Sequence, residues 1–247
     1  MIGLYLVIAA GLAQTPEAFD AFFTEFAAKR DGVKTLEASF TQKNVLPDDT
    51  LETSGTIVYV RPKRIVFRYA PPDPTYLIDS VRVYEYSPDI QQVQIYDLGE
   101  DPQTEVFFLG FEDDTRRLRE GYDVELFDPE DGPAGAKGIV LKPKTPDGAE
   151  PLFERAMLFL RAEDYLPYRI HIVHDAESQV TIEVSNLAVN TPLDPARAQI
   201  ALAPNTAVIQ DEAVVRTVGP EGELVPEQPK LPATLEPETP SAEAPRP

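Results

Sequence analysis

Between Ser39 and Asp97 the chain runs through one short apolar–polar alternation after another, with only brief turns between them. SFTQ is followed by GTIVYVRP, then RIVFRYAPPDP, then TYLIDSVRVYEYSPDIQQVQIYD. Consecutive strands joined this closely pair antiparallel, and such a sheet twists and curves. Aromatics crowd the region: Tyr59, Phe67, Tyr69, Tyr76, Tyr84 and Tyr86. Rings in these positions serve either a packed sheet core, where each pair adds about 0.5–1.5 kcal/mol, or the wall of an apolar cavity. The aromatics alone leave both readings open.

Alternation assigns faces within a strand. From Arg61 to Tyr69, the residues Arg61, Lys63, Ile65, Phe67 and Tyr69 share one face, and Arg64, Val66 and Arg68 the other. One face is thus apolar in its middle and cationic at its leading end. Pro71, Pro72 and Pro74 end the strand. The pattern predicts strands over 36–43, 52–60, 64–70, 75–79, 82–87 and 92–98. A second group follows over 123–126, 138–143, 153–160, 168–174, 180–190 and 198–202.

Two helical stretches interrupt the strands. Phe19, Phe22, Phe23 and Phe26 recur at i, i+3, i+4 and i+7, one apolar stripe on a helix that Thr15 and Pro16 open. Lys29 and Arg30 suit the negative end of its dipole, and Gly32 suits the C′ position. A phenylalanine face of this kind plugs one end of a core. TEVFFLGFEDDTRRLREGY, from Thr104 to Tyr122, predicts one or two short helices broken near Gly110. Val106, Phe107, Phe108, Leu109 and Phe111 there are too apolar for water and must cover a core or a cavity mouth.

Composition narrows the function. The chain has 247 residues and a formal net charge of -20, which argues against nucleic-acid binding and against docking on anionic lipid by bulk charge. Without cysteine, a disulfide framework, a thiolate zinc site, a cysteine nucleophile and lipid attachment at an N-terminal cysteine are excluded. His171 and His174 alone cannot make a histidine-rich metal cluster, and the sequence implies no metal and no cofactor. His174, Asp175 and Ser178 sit in a hairpin turn without a nucleophile elbow, so the chain is read as no enzyme. The acidic runs 112–114 and 128–131 lack calcium-loop spacing and read as solvated surface.

The ends differ from the middle. Ile2 to Leu12 spans about 16 Å as a helix, short of a bilayer core of about 30 Å. It fits the apolar region of an export signal cut after Ala13, although no Lys or Arg precedes Lys29. Residues 1–13 are therefore expected to be a signal peptide, 14–210 one domain, and 211–247 a disordered acidic, proline-rich tail.

In order and spacing these motifs resemble the periplasmic outer-membrane lipoprotein carrier family, LolA. The resemblance rests on SFTQ at 39–42, GTIVYVRP at 55–62, VYEYSPDIQQVQIYDL at 83–98, QTEVFFLG at 103–110, GIVLKPK at 138–144 and QVTIEVSNLAVNTPLD at 179–194. It spans roughly 16–210. It implies an α+β, mainly β fold: a strongly curved antiparallel sheet forming an incomplete barrel, with helices as a lid or plug over an apolar cavity. It implies a soluble periplasmic monomer that carries acylated lipoproteins from an inner-membrane ABC transporter to an outer-membrane acceptor. The implied cavity residues are Phe23, Ile65, Phe67, Tyr69, Tyr84, Tyr86, Phe107, Phe108 and Leu109. Arg61, followed by Pro62, matches the family's gating arginine and is the implied lid latch. The chain departs from the family in having no tryptophan (Phe67 and Tyr84 stand at those places) and in carrying Asp79-Ser80 where a D-G turn is common. A carrier of another lipid, or an envelope sensor on the same sheet, are the alternatives.

Overall fold

The computed structural model describes residues 16–70, 74–98, 118–145, 151 and 153–226. Its first element is helix α1 (Pro16–Asp31). Strands β1 (Thr35–Leu46), β2 (Asp49–Val60), β3 (Arg64–Tyr69), β4 (Thr75–Ile78), β5 (Arg82–Ser87) and β6 (Gln92–Asp97) follow. A short helix α2 (Leu118–Gly121) leads into β7 (Tyr122–Phe127), β8 (Lys137–Pro143), β9 (Arg155–Leu160), β10 (Pro167–Val173) and β11 (Gln179–Val189). After a 3-10 helix at Pro195–Ala198 come β12 (Ile200–Leu202), β13 (Ala207–Gln210), β14 (Ala213–Thr217) and β15 (Glu223–Val225).

One 13-stranded sheet runs in the order β14-β13-β6-β5-β4-β3-β2-β1-β11-β10-β9-β8-β7, and β12 pairs with β15 apart from it. The sheet is curved and unclosed, with β14 and β7 as its free edges. Every pairing in it is antiparallel except β13 with β6, which is parallel. A register shift between Glu37 and Ser39 on β1 marks a bulge against β11, the kind of irregularity that sharpens local bend.

Both faces of this sheet are apolar, for different reasons. On the concave face, α1 lays Phe23 and Phe26 against Tyr122, Ile139, Leu141, Ala156, Leu158 and Leu160 of β7–β9. Phe19 and Phe22 flank them, so the stripe read from the sequence is the stripe that packs. Further along the same face, Leu36, Ala38, Phe40, Ile57, Tyr59, Ile65 and Ile78 form a second cluster. On the convex face, Val58, Val66, Leu77, Tyr84, Tyr86 and Val93 pack under Ile200, Leu202, Val208, Val218 and Val225.

That third cluster corrects the tail expected from Asp211. β13 and β14 form a hairpin in which Gln210 pairs with Ala213. The two linking residues, Asp211 and Glu212, have φ of 50° and 61°. Positive φ at both turn positions suits a strand's right-handed twist. β15 then returns to pair with β12, Ile200 opposite Val225. Residues 213–225 are therefore structural; residues 1–15 and 227–247 lie outside the described residues.

The end of α1 also differs from expectation. Gly32 has no left-handed φ. The turn closes through Val33 N–H donating to the Arg30 carbonyl at 2.9 Å. Asn190 holds it from outside: its Nδ2 donates to the Gly32 carbonyl at 2.7 Å, and its Oδ1 accepts from the Lys34 N–H at 2.8 Å and the Thr35 N–H at 3.2 Å.

Candidate functional site

The cross-strand register decides which side chains share the concave face. Phe40 lies opposite Gly55, and Gly55 opposite Tyr69. Ile57 lies opposite Phe67, and Phe67 opposite Tyr76. Ile65 lies opposite Ile78, and Ile78 opposite Val83. Gly55 makes room for the rings on either side. Phe40 meets Tyr69 edge-on at 5.0 Å and Phe67 at 6.0 Å. A Cβ at Gly55 would overlap the Arg68 carbonyl and stand 2.8 Å from the Phe40 ring. A glycine inside a strand marks such close approach.

Ile65, Phe67 and Tyr69 thus share the concave face, as alternation predicts. Ile65 is buried, while Phe67 and Tyr69 are partly buried. Phe23 is on the same side but at the other end, in the cluster under α1. Tyr84 and Tyr86 are corrected. Tyr84 lies opposite Leu77, and both tyrosines point to the convex face beneath the C-terminal strands. The Tyr86 hydroxyl accepts the Ala203 N–H at 3.3 Å, so this ring is tied to that cover. Burial pushes the Tyr84 phenol up from its ordinary value. Phe107, Phe108 and Leu109 lie outside the described residues.

The helix that borders this face is fastened at its C-terminus by three cations. Arg61 Nη1 donates to the carbonyl of Asp31, the last residue of α1, at 2.9 Å, and stands 3.4 Å from Asp31 Oδ1. Arg30 is fully buried and donates to the Tyr165 carbonyl while its guanidinium covers the Phe26 ring at 4.7 Å. Lys29 donates to the Ala162 carbonyl and sits 3.9 Å from the centroid of Tyr165. Read from the sequence, Lys29 and Arg30 have only a dipole role; their bonds to the turn between β9 and β10 depend on tertiary placement no local signal carries. Burial, with Glu25 beside it, pushes the Tyr165 phenol up to about 12.

The polar groups of the face cluster at one side. Tyr69 Oη donates to Gln42 Oε1 at 2.8 Å, and Gln42 Nε2 to Asn44 Oδ1 at 2.9 Å. Tyr76 Oη donates to Glu85 Oε1 at 3.1 Å. The other sequence candidates hold no such arrangement. Asp175 Oδ1 accepts the N–H groups of Glu177 and Ser178 at 2.7 and 2.8 Å, and these amides hold its carboxyl below the usual range. Asp79 Oδ1 accepts from the Val81 and Arg82 N–H groups, each at 2.9 Å. That carboxylate closes the β4–β5 turn where the family's D-G pair is replaced. Among the described residues no group of His, Asp or Glu is placed to hold a metal, and no helix is long and apolar enough to cross a membrane.

A curved, unclosed sheet with an apolar concave face and a helix bonded beside it defines a class of binding fold. The model of the family "Outer membrane lipoprotein carrier protein LolA" matches residues 31–200, well over half of the chain, and the chain belongs to that family. No curated protein matches it in sequence. Among solved structures, it is similar to an uncharacterized conserved protein from Thermus thermophilus, at 13% identity and a TM-score of 0.49, covering 78% of this chain and 99% of that one. A putative outer membrane lipoprotein-sorting protein domain from Vibrio parahaemolyticus follows at 11% identity and 0.41, covering 71% and 93%. A LolA superfamily protein from Nitrosomonas europaea gives 8% and 0.37, covering 70% and 95%.

Proposed function

We propose that the chain is a soluble periplasmic carrier. In this reading it takes the acyl chains of lipoproteins onto its concave face and moves them from an inner-membrane ABC transporter to an outer-membrane acceptor. The observation that carries the reading is the face itself: Phe40, Ile65, Phe67 and Tyr69 form a continuous apolar floor beside a helix whose terminal carbonyl is held by Arg61. Burying a methylene is worth about 0.8 kcal/mol, so a sixteen-carbon chain is worth on the order of 12 kcal/mol in full transfer. Such cargo does not cross water alone, and a carrier without ATP must release it by exchanging comparable contacts.

Arg61 is the latch in this scheme. Its guanidinium bonds to the helix end when no cargo is present, and acyl chains that displace the helix replace that bond with apolar contact. The implied floor then comprises Ile65, Phe67 and Tyr69, with Phe23 under the helix. Phe107, Phe108 and Leu109 remain part of the proposed lining. The test is release of a triacylated lipoprotein from spheroplasts by the purified protein. The expected result is a soluble complex of carrier and lipoprotein. Lipoproteins that stay membrane-bound, together with a protein that purifies without any acyl lipid, would sink the proposal.

A further inference from the structure

Glu85 is the carboxylate on the concave face of β5, and its surroundings are unusual for one. It shares that face with Val83, opposite Tyr96, and lies opposite Tyr76. Tyr76 Oη donates to it at 3.1 Å. Tyr96 lies diagonally across the strand pair, and burial, with Glu85 beside them, pushes the phenols of Tyr96 and Tyr76 up from their ordinary values. Tyr69 stands behind Tyr76, their ring centroids 5.9 Å apart and their planes at 74°. Glu85, Tyr69 and Tyr76 are partly buried, and Tyr96 is 44% exposed. Among the described residues no lysine or arginine stands within ion-pair distance of Glu85; the carboxylate faces two phenols and an apolar floor.

A carboxylate half removed from water costs free energy unless a positive charge meets it. Phenol donors offset part of this, but they satisfy hydrogen bonding without cancelling charge. Tyr76, which bonds this carboxylate, and Tyr69, whose ring plane stands at 74° to it, add aromatic faces to the same patch, and such faces attract an ammonium. The chain's net charge of -20 favours the approach of a cation from any side.

We propose that Glu85, Tyr69, Tyr76 and Tyr96 form a receptor for an ammonium group carried on an acylated amphiphile. This rests on the carrier reading and adds to it: the apolar floor takes the tail, and the tyrosine–glutamate box at its side takes a positive head. The ammonium could belong to a phospholipid head group or to a free α-amino terminus of a diacylated lipoprotein; the chemistry at the box is the same, and the assay separates them.

The experiment is calorimetric titration of the full chain with dodecyltrimethylammonium and dodecyl maltoside below their micelle concentrations. The tails are identical and only the heads differ. The expected result is a preference of roughly tenfold for the ammonium. Glu85→Gln brings the ratio to about one and leaves the dodecyl maltoside affinity intact, which also reports that the variant is folded. In the wild type, raising the salt shrinks the same preference. Two further pairs identify the source: lysophosphatidylethanolamine against lysophosphatidylglycerol, and a diacylated lipopeptide with a free α-amino group against its N-acetyl form. Discrimination in the first assigns the head group, in the second the protein terminus. Equal binding of the two dodecyl amphiphiles by the wild type overturns the ammonium receptor and leaves the carrier standing. Binding of neither overturns the carrier as well.

Discussion

Replacing Arg61 by leucine separates a latch from a structural bond. The substitution removes a charge-assisted N–H···O=C bond of 2.9 Å to the Asp31 carbonyl. Bonds of this type are worth about 1.5–3 kcal/mol net. The cation also lies at the negative end of α1, adding about 0.3–1 kcal/mol. The ion pair with Asp31 adds little, because that carboxylate is 80% exposed. A total of about 2 kcal/mol corresponds to roughly a thirtyfold rise in local opening. The helix does not leave, because Arg30 and Lys29 still hold the Tyr165 and Ala162 carbonyls. Native-state hydrogen exchange resolved by residue is the assay. Amides of Val33 and its neighbours are expected to exchange roughly thirtyfold faster, with those of β2 and β3 unchanged. Acyl-chain release slows in parallel, because the bond that re-forms in the empty carrier is gone. Unchanged exchange at Val33, or acceleration spread evenly over the sheet, would refute the reasoning.

Phe26→Ala, at a site with no exposure among Phe22, Phe23 and Tyr165, should lower unfolding free energy by about 3–5 kcal/mol in denaturant titration. Gly55→Ala places a Cβ into the Arg68 backbone and should prevent folding or cost about 3 kcal/mol; at Gly138 the obstacle is the Phe127 ring, which can turn, so Gly138→Ala should be milder by circular dichroism melts. Tyr165, pushed up to about 12, keeps its proton in the folded state after the unfolded chain has lost it near pH 10. Stability measured by denaturation should therefore be intact below about pH 10 and decline as pH rises towards 12. His171 is held below its ordinary value by burial and by Arg155 and Arg169. The unfolded chain therefore binds the extra proton first, so stability present above about pH 6.5 should fall as the solution is acidified.

Much of the fold is legible in the sequence, because alternation survives wherever one face meets core and the other does not. Arg82–Ser87 is predicted to the residue, and Phe19, Phe22, Phe23 and Phe26 name the buried stripe of α1. Facing across strands is not legible in the same way. Four residues separate Ile78 from Val83, and only their pairing sets Tyr84 beside Leu77 instead of Phe67. Crowding in sequence therefore groups Tyr84 and Tyr86 with the wrong surface. The strands after Asp211 stay hidden because their hairpin turns on Asp-Glu, where Asn-Gly or Asp-Gly would have signalled it. Short runs such as AVVRT and ELV among prolines carry too little periodicity to stand out. Asn190, which closes the α1–β1 junction from 155 or more residues away in sequence, leaves no local trace at all.

The C-terminal strands have a mechanical meaning as well. β13 and β14 extend the sheet beyond β6, and the separate pair β12 and β15 packs on the convex side of β2–β6 as a second layer behind the aromatic floor, while on β7–β9 the helix presses from the concave side. The two halves are thus braced from opposite directions, and the bulge on β1 between Glu37 and Ser39 lies at the seam where one support gives way to the other. Bending concentrates where backing is absent. A bulky guest entering the trough would strain that seam first, so the width of the trough is set where β1 meets β11.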